Sequence, residues 1–198
     1  MNLAPRLIEN EFVRLEPLDA RHREALRPLA DDKSLWTQSV MRADGRYFDA
    51  WFEAMLGAHE SGAQISHAVF DKLSGGFAGH TAYLAIQPAH ARVEIGWTWY
   101  GASFHRTHVN PACKHLLMDN AFGAGAERVE LKTGSQNLRS QGAMTKMGAT
   151  REGVLRSHTL TWTGERRDTV YFSVLEREWP YVKAGLETRL SRVAMPCT

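Results

Sequence analysis

The segment Val93-Glu94-Ile95-Gly96-Trp97-Thr98-Trp99-Tyr100, followed by the basic turn His105-Arg106-Thr107-His108 and then Asn110-Pro111, constrains this chain more than any other. The β-branched and aromatic run reads as a strand, and the residues after it as the opening of a helix. Asn110 suits a helix N-cap and Pro111 the first helical position, so the helix is expected to open there. The unpaired N–H groups and the positive dipole end of such a start attract anions, phosphate above all. The arrangement points to a phosphorylated cofactor or substrate, although an ordinary strand–turn–helix with a basic surface turn would show the same residues.

Length and apolar content fit one domain. The chain has 198 residues, 43% of them hydrophobic, enough for a sizeable core. One domain over 1–198 is expected, with its core from about 10 to 180 and a C-terminal helical extension over 180–198. The formal net charge of +2 gives no electrostatic case for nucleic acid or an anionic membrane as partner. Two cysteines, Cys113 and Cys197, argue for a reducing compartment rather than a disulfide framework. Glu9 and Glu11 interrupt any secretory signal pattern, and a cytoplasmic location is expected.

Alternation and turn residues divide the rest. Phe12 to Pro17 reads as an edge strand, and Asp19 caps a helix through about Leu29. Arg46 to Glu60 places Phe48, Trp51, Phe52, Met55 and Leu56 at helical spacing. Ile65–Phe70 and Gly76–Ile86 form a hairpin around Asp71–Gly75. Pro111–Phe122 is a helix, Arg128–Thr133 a strand, and a helix from Leu138 ends at a left-handed Gly148. Strands near Ala149–Leu160 and Thr169–Leu175 follow, then a helix after Trp179. One parallel crossover is expected near residues 93–133, in an α/β mixed fold.

Three spans together resemble the GNAT superfamily of N-acetyltransferases, nearest the branch of bacterial ribosomal-protein alanine N-acetyltransferases (RimJ/RimL-like). They are Val13-Arg14-Leu15-Glu16-Pro17-Leu18, then Glu94-Ile95-Gly96-Trp97 with its following loop, then Val129 to Thr133 with Asn137-Leu138-Arg139-Ser140 and Lys146-Met147-Gly148-Ala149. Arg167-Asp168 and Glu178-Trp179 match the ending of that branch. The resemblance implies a central, mostly antiparallel mixed sheet of about seven strands flanked by helices, with a splayed parallel pair that binds coenzyme A. One departure concerns the cofactor loop, usually Gln/Arg-x-x-Gly-x-Gly/Ala. Placed on residues 105–110, it puts His108 and Asn110 where glycines stand, and strain is expected at His108.

The resemblance further implies acetyl-CoA as donor, a primary amine on a small molecule or a protein N-terminus as acceptor, and no metal. The residues it assigns to the donor are Trp97, Thr98 and Trp99 on the splayed strand, His105, Arg106, Thr107, His108, Val109 and Asn110 at the helix start, and Asn137 with Ser140. An α-amine (pKa ~7.7–8.0) is about one-tenth neutral at pH 7, a lysine (~10.4) about one part in 2,500, so an α-amine needs less help from a base. Glu94 is the candidate base; strand alternation is expected to set it on the face opposite Val93, Ile95, Trp97 and Trp99. A structural carboxylate paired with an arginine would read the same way. Ser140 is the candidate for orienting or protonating the departing thiolate; many members instead carry a tyrosine four positions later, and that position is Met144 here.

Trp36, Tyr83 and His158, with Tyr47 and Trp162, are candidates for the acceptor pocket. His105-x-x-His108 with Cys113 and His115 does not follow a regular zinc spacing, and no metal is expected. A dimer is common in the resembled branch, and the C-terminal segment is a candidate surface for it. Two alternatives stay open: another acyl-CoA donor, such as propionyl- or succinyl-CoA, and a non-catalytic CoA-binding sensor.

Overall fold

The computed structural model describes residues 1–194; Cys197 lies outside them. Its strands are β1 (Ile8–Glu9), β2 (Val13–Pro17), β3 (Ile65–Asp71), β4 (Gly76–Gln87), β5 (Arg92–Tyr100), β6 (Arg128–Gly134), β7 (Thr150–Leu160) and β8 (Arg166–Leu175). They form one sheet in the order β1-β2-β3-β4-β5-β6-β8-β7. Every pairing is antiparallel except β5 with β6. The expectation of about seven strands missed β1, two residues long, which displaces β2 from the edge.

The helices are α1 (Arg23–Ala30), α2 (Phe48–Glu60), α3 (Val109–Gly123), α4 (Leu138–Met147) and α5 (Trp179–Ala194). Asp19 caps a short turn ahead of α1, accepting from the Arg21 amide. Asn137 caps α4 by accepting from the Ser140 amide at 3.1 Å, and Gly148 ends it at φ +101°. The helix after β5 departs from expectation. It opens at Val109, and Ala112 N–H bonding His108 C=O is its first helical bond. Asn110 and Pro111 therefore lie inside the first turn. Proline is harmless there, because the first four helical amides lack intrahelical acceptors anyway.

Two cores flank the sheet. On one side α3 and α5 cover an aliphatic core containing Val93, Ile95, Leu117, Met118, Val129, Leu131, Phe172, Val182 and Leu186. On the other, α1 and α2 enclose an aromatic core of Trp36, Phe48, Trp51, Phe52 and Trp99. One face of the C-terminal helix is packed into the first core, with Trp179, Val182, Leu186 and Leu190 buried, while Tyr181 on another face is exposed.

The parallel pair is short. Arg92, Val93 and Glu94 face Arg128, Val129 and Glu130, and the pairing then stops. β5 continues to Tyr100 along β4, while β6 continues to Gly134 along β8. The two strands part beyond Glu94, leaving a wedge open at their carboxyl ends. The starts of α3 and α4 stand at the ends of its two arms. In sheets of this kind ligands enter at such a divergence.

Candidate active site

The arm formed by β5 is bent by a bulge. Gly96 pairs with Ala82 and Trp99 with His80, so Trp97 and Thr98 together oppose one residue of β4. Trp97 sits at φ +48°, a genuine outlier for a bulky residue, costing about 1–3 kcal/mol. His80 holds it there, its buried Nδ1–H donating to Trp97 C=O at 2.9 Å. Gly79 assists: a Cβ there would fall 2.1 Å from the Trp99 carbonyl oxygen, so only glycine permits the approach. The extra residue reverses the alternation. Val93 and Ile95 stay in the aliphatic core, whereas Trp97 and Trp99 join the aromatic one. The two tryptophans thus share the face of Glu94 rather than opposing it.

Glu94 is 3% exposed, and Lys132 of β6 bonds its Oε2 at 2.9 Å. The partner is a lysine, not an arginine. Oε1 lies over Gly96, where a Cβ would come within 3.0 Å of it, and takes no hydrogen bond among the described residues. Gly96 therefore leaves room for the carboxylate to lean toward the wedge. Burial pushes the Glu94 acid up; Lys132 opposes that push without cancelling it. A buried carboxylate with one oxygen uncommitted has the makings of a base.

At the opposite end lies the loop before α3. The amides of Arg106, Thr107 and His108 have no acceptor among the described residues. Within this loop the one left-handed residue is Arg106, at φ +62°. His108 is right-handed, at φ −67° and ψ −21°, so the strain expected there does not arise. Its ring is committed elsewhere, with Nε2 2.7 Å from Asp71 Oδ1. Asp71 is held below the usual carboxylate range: burial alone would raise it, but hydrogen bonds from Ser74, His108 and Leu73 outweigh that. His105 Nε2–H donates to Tyr100 C=O at 3.0 Å, and its Nδ1 faces Arg139 of α4 at 3.4 Å. The exposed Arg139 guanidinium is thereby set between the two helix starts, a cation that residue-by-residue reading missed.

Lys114 was missed as well. Only 7% exposed, it extends from α3 to Thr98 Oγ1 at 3.2 Å on the parted arm of β5. Thr98 also meets Thr81 Oγ1 at 2.8 Å.

The expected acceptor residues separate. Tyr83 is not a pocket residue: 1% exposed in the aliphatic core, it donates to Leu117 C=O on α3. Trp36 is buried too, its Nε1–H bonding Ala30 C=O and its ring edge-on to Trp99. It backs the wedge rather than lining it. His158 lies on exposed β7 beside Tyr171, whose ring faces Lys132. Segment 36–42 bridges both arms on this face, since Gln38 Oε1 lies against Gly134 at the end of β6. Trp162 joins it by donating from Nε1 to Trp36 C=O, and Arg42 lies over the Trp162 and Tyr47 rings. His105, His108, His115 and Cys113 do not converge: the three rings bond Tyr100, Asp71 and Glu187, and the thiol is buried.

The profile of the acetyltransferase (GNAT) domain matches residues 13–150. No curated protein matches the chain. Among solved structures, a GCN5-related N-acetyltransferase from Brucella melitensis is 31% identical, with a TM-score of 0.86 over 94% of this chain and 86% of that one. Mycobacterium smegmatis RimJ, solved with CoA-disulfide, is 18% identical, with a TM-score of 0.78 over 93% and 95%. RimL, an α-N-protein acetyltransferase of ribosomal L7/L12 solved with coenzyme A, is 20% identical, with a TM-score of 0.72 over 86% and 98%. At those last two identities the likeness is one of fold.

Proposed function

The chain belongs to the GNAT acetyltransferase family, an acyl-CoA-dependent enzyme class, and from that premise we infer that it moves an acetyl group from acetyl-CoA to a primary amine by direct attack, with Glu94 as base. The acceptor in this reading is an α-amine, on a protein N-terminus or a small molecule. One observation carries it: a carboxylate of a 3% exposed residue, one oxygen of which takes no hydrogen bond among the described residues, at the root of a wedge whose outer end holds unpaired amides.

The chain's own groups divide the work. The amides of Arg106, Thr107 and His108, with the Arg106 and Arg139 side chains, hold the donor's diphosphate at the start of α3. The unpaired edge of β5 from Gly96 to Trp99 runs beside the donor's amide arm, and a bulge amide polarises the thioester carbonyl as charge builds there. Asn137, already spent on its cap through Oδ1, offers its amide nitrogen to the same arm. Glu94 Oε1 takes the amine's proton directly or through one water. Its raised acid range brings it nearer to that of an α-amine, which favours the transfer. Alignment of both reactants supplies much of the remaining rate.

RimJ and RimL lend the acceptor choice what support their fold gives. A structure of the microcin C7 self-immunity acetyltransferase MccE, with acetyl-CoA and AMP, shows the fold serving another context as well. The test is calorimetry with acetyl-CoA, then free-thiol release across a panel of peptides, amino acids and polyamines. Thiol release fastest on α-amines is expected. Binding without release on any amine would instead describe a CoA sensor. Faster release from propionyl- or succinyl-CoA would change the donor.

A further inference from the structure

Lys114 is out of place for a structural lysine. Its position on α3 shares a stripe with Leu117, Met118 and Ala121, all buried. A buried ammonium is costly unless paired, yet no carboxylate lies within ion-pair distance of it among the described residues: Glu94, the acid that acts on it, is taken by Lys132. Its single hydrogen bond, to Thr98 Oγ1, leaves two of its three N–H groups uncommitted. Thr98 lies four residues past the last residue of β5 that pairs with β6, so the ammonium is anchored to the parted arm of the wedge.

We propose that Lys114 is the proton donor to the departing sulfur in the acyl transfer, a role that rests on the function inferred above. The amine nitrogen bonds the acyl carbon as its own proton passes toward Glu94. The carbon–sulfur bond then breaks with its electron pair going to sulfur. Lys114 Nζ gives that sulfur a proton, leaving free thiol and a neutral lysine that solvent reprotonates. The unpaired cation is thereby matched to a negative charge that exists only during turnover. Burial lowers the Lys114 acid to about 8, low enough to donate and high enough to be charged at neutral pH. The titratable groups acting on it are Glu94 from β5, backed by Lys132 of β6, and Cys113 on its own helix, a thiol that burial pushes up to about 12 beside Tyr100.

The experiment is the pH–rate profile of thiol release at saturating acetyl-CoA for wild type, Lys114→Gln and Lys114→Arg, with acetyl-CoA affinity measured by calorimetry. Wild type is expected to lose rate above about pH 8. Lys114→Gln should lose about 100- to 10,000-fold in kcat, the usual reach of general acid catalysis, together with that alkaline limb. Lys114→Arg keeps the charge without a proton to give and should be comparably slow. Wild-type rate in the arginine variant, or an alkaline limb surviving in the glutamine variant, overturns the proposal. Should neither variant fold, ultraviolet titration of the thiolate in wild-type enzyme with bound CoA decides: a thiol acid range below that of free CoA supports it, an unchanged one overturns it. Wild type that binds acetyl-CoA yet releases no thiol sinks the parent function instead, and the donor role with it.

Discussion

The two faces of β5 differ in kind. Toward α3 and α5 the buried side chains are mostly aliphatic; of the two tyrosines among them, Tyr83 is hydrogen-bonded, whereas the Tyr100 hydroxyl is buried without a partner among the described residues. Toward α1 and α2 the core is aromatic, and Trp51 Nε1, Trp99 Nε1 and His80 Nε2 are buried without partners among the described residues. Unsatisfied polar atoms of this sort each cost roughly 1–3 kcal/mol. The first face is packed mostly from aliphatic side chains; the second packs Trp51 and Trp99, whose indole nitrogens stay unpartnered among the described residues. Strain concentrates at the boundary between them, in the bulge at Trp97.

The sharpest way to break this contrast is Glu94→Gln. Thiol release should fall about 100- to 10,000-fold, most severely at low pH, where fewer amine molecules are neutral. An unchanged pH–rate profile would place Glu94 among merely structural ion pairs. Leu117→Ala, on the aliphatic face, should cost about 2–5 kcal/mol of stability while the folded enzyme keeps its kcat. A chemical denaturation curve with paired kinetics would show whether the faces are that separate.

Acid should unsettle buried histidines on both faces. Burial lowers His80, beside Trp51 on the aromatic side, to about 4 and His67, beside Tyr83 on the other, to about 3, whereas both protonate below about 6.5 once unfolded. The unfolded chain thus binds more protons between those limits. Stability, complete above pH 6.5, should be lost as pH falls toward 4, by roughly 3 kcal/mol for His80 alone. Melting temperature against pH checks it, and a flat profile from 7 to 4 would contradict it. Smallest should be Ser140→Ala: its amide is the part engaged in capping, so thiol release should stay within about twofold, the scatter of a surface change. A large loss would return the acid role to Ser140.

Most strands and helices were legible, because alternation and caps report the half-buried positions that define them. Asp19, Asn137 and Gly148 stand as their residue types require. The bulge was not legible. Trp97-Thr98-Trp99 continues an unbroken apolar–polar pattern, and nothing in a tryptophan signals positive φ, so the face of both tryptophans was misassigned. The start of α3 was misjudged because proline tolerates any position in the first turn. The partner of Glu94 is a lysine rather than the arginine of the structural alternative, since pairing across diverging strands leaves no local trace. Lys114 left a trace that went unread: a lysine three and four residues before Leu117 and Met118 lies on their stripe.

The stitching of segment 36–42 has a last consequence. Arg167 donates to Gln38 C=O, the Trp162 amide to Ser39 C=O, and the Trp162 ring to Trp36 C=O. The roof over one side of the wedge and the tip between β7 and β8 are therefore a single mechanical piece. If the acetyl-transfer reading holds, an insertion in that tip should be felt on the amine side of the wedge before it reaches the grip on the nucleotide handle, so such a scaffold could change its clients without relearning how to hold its reagent.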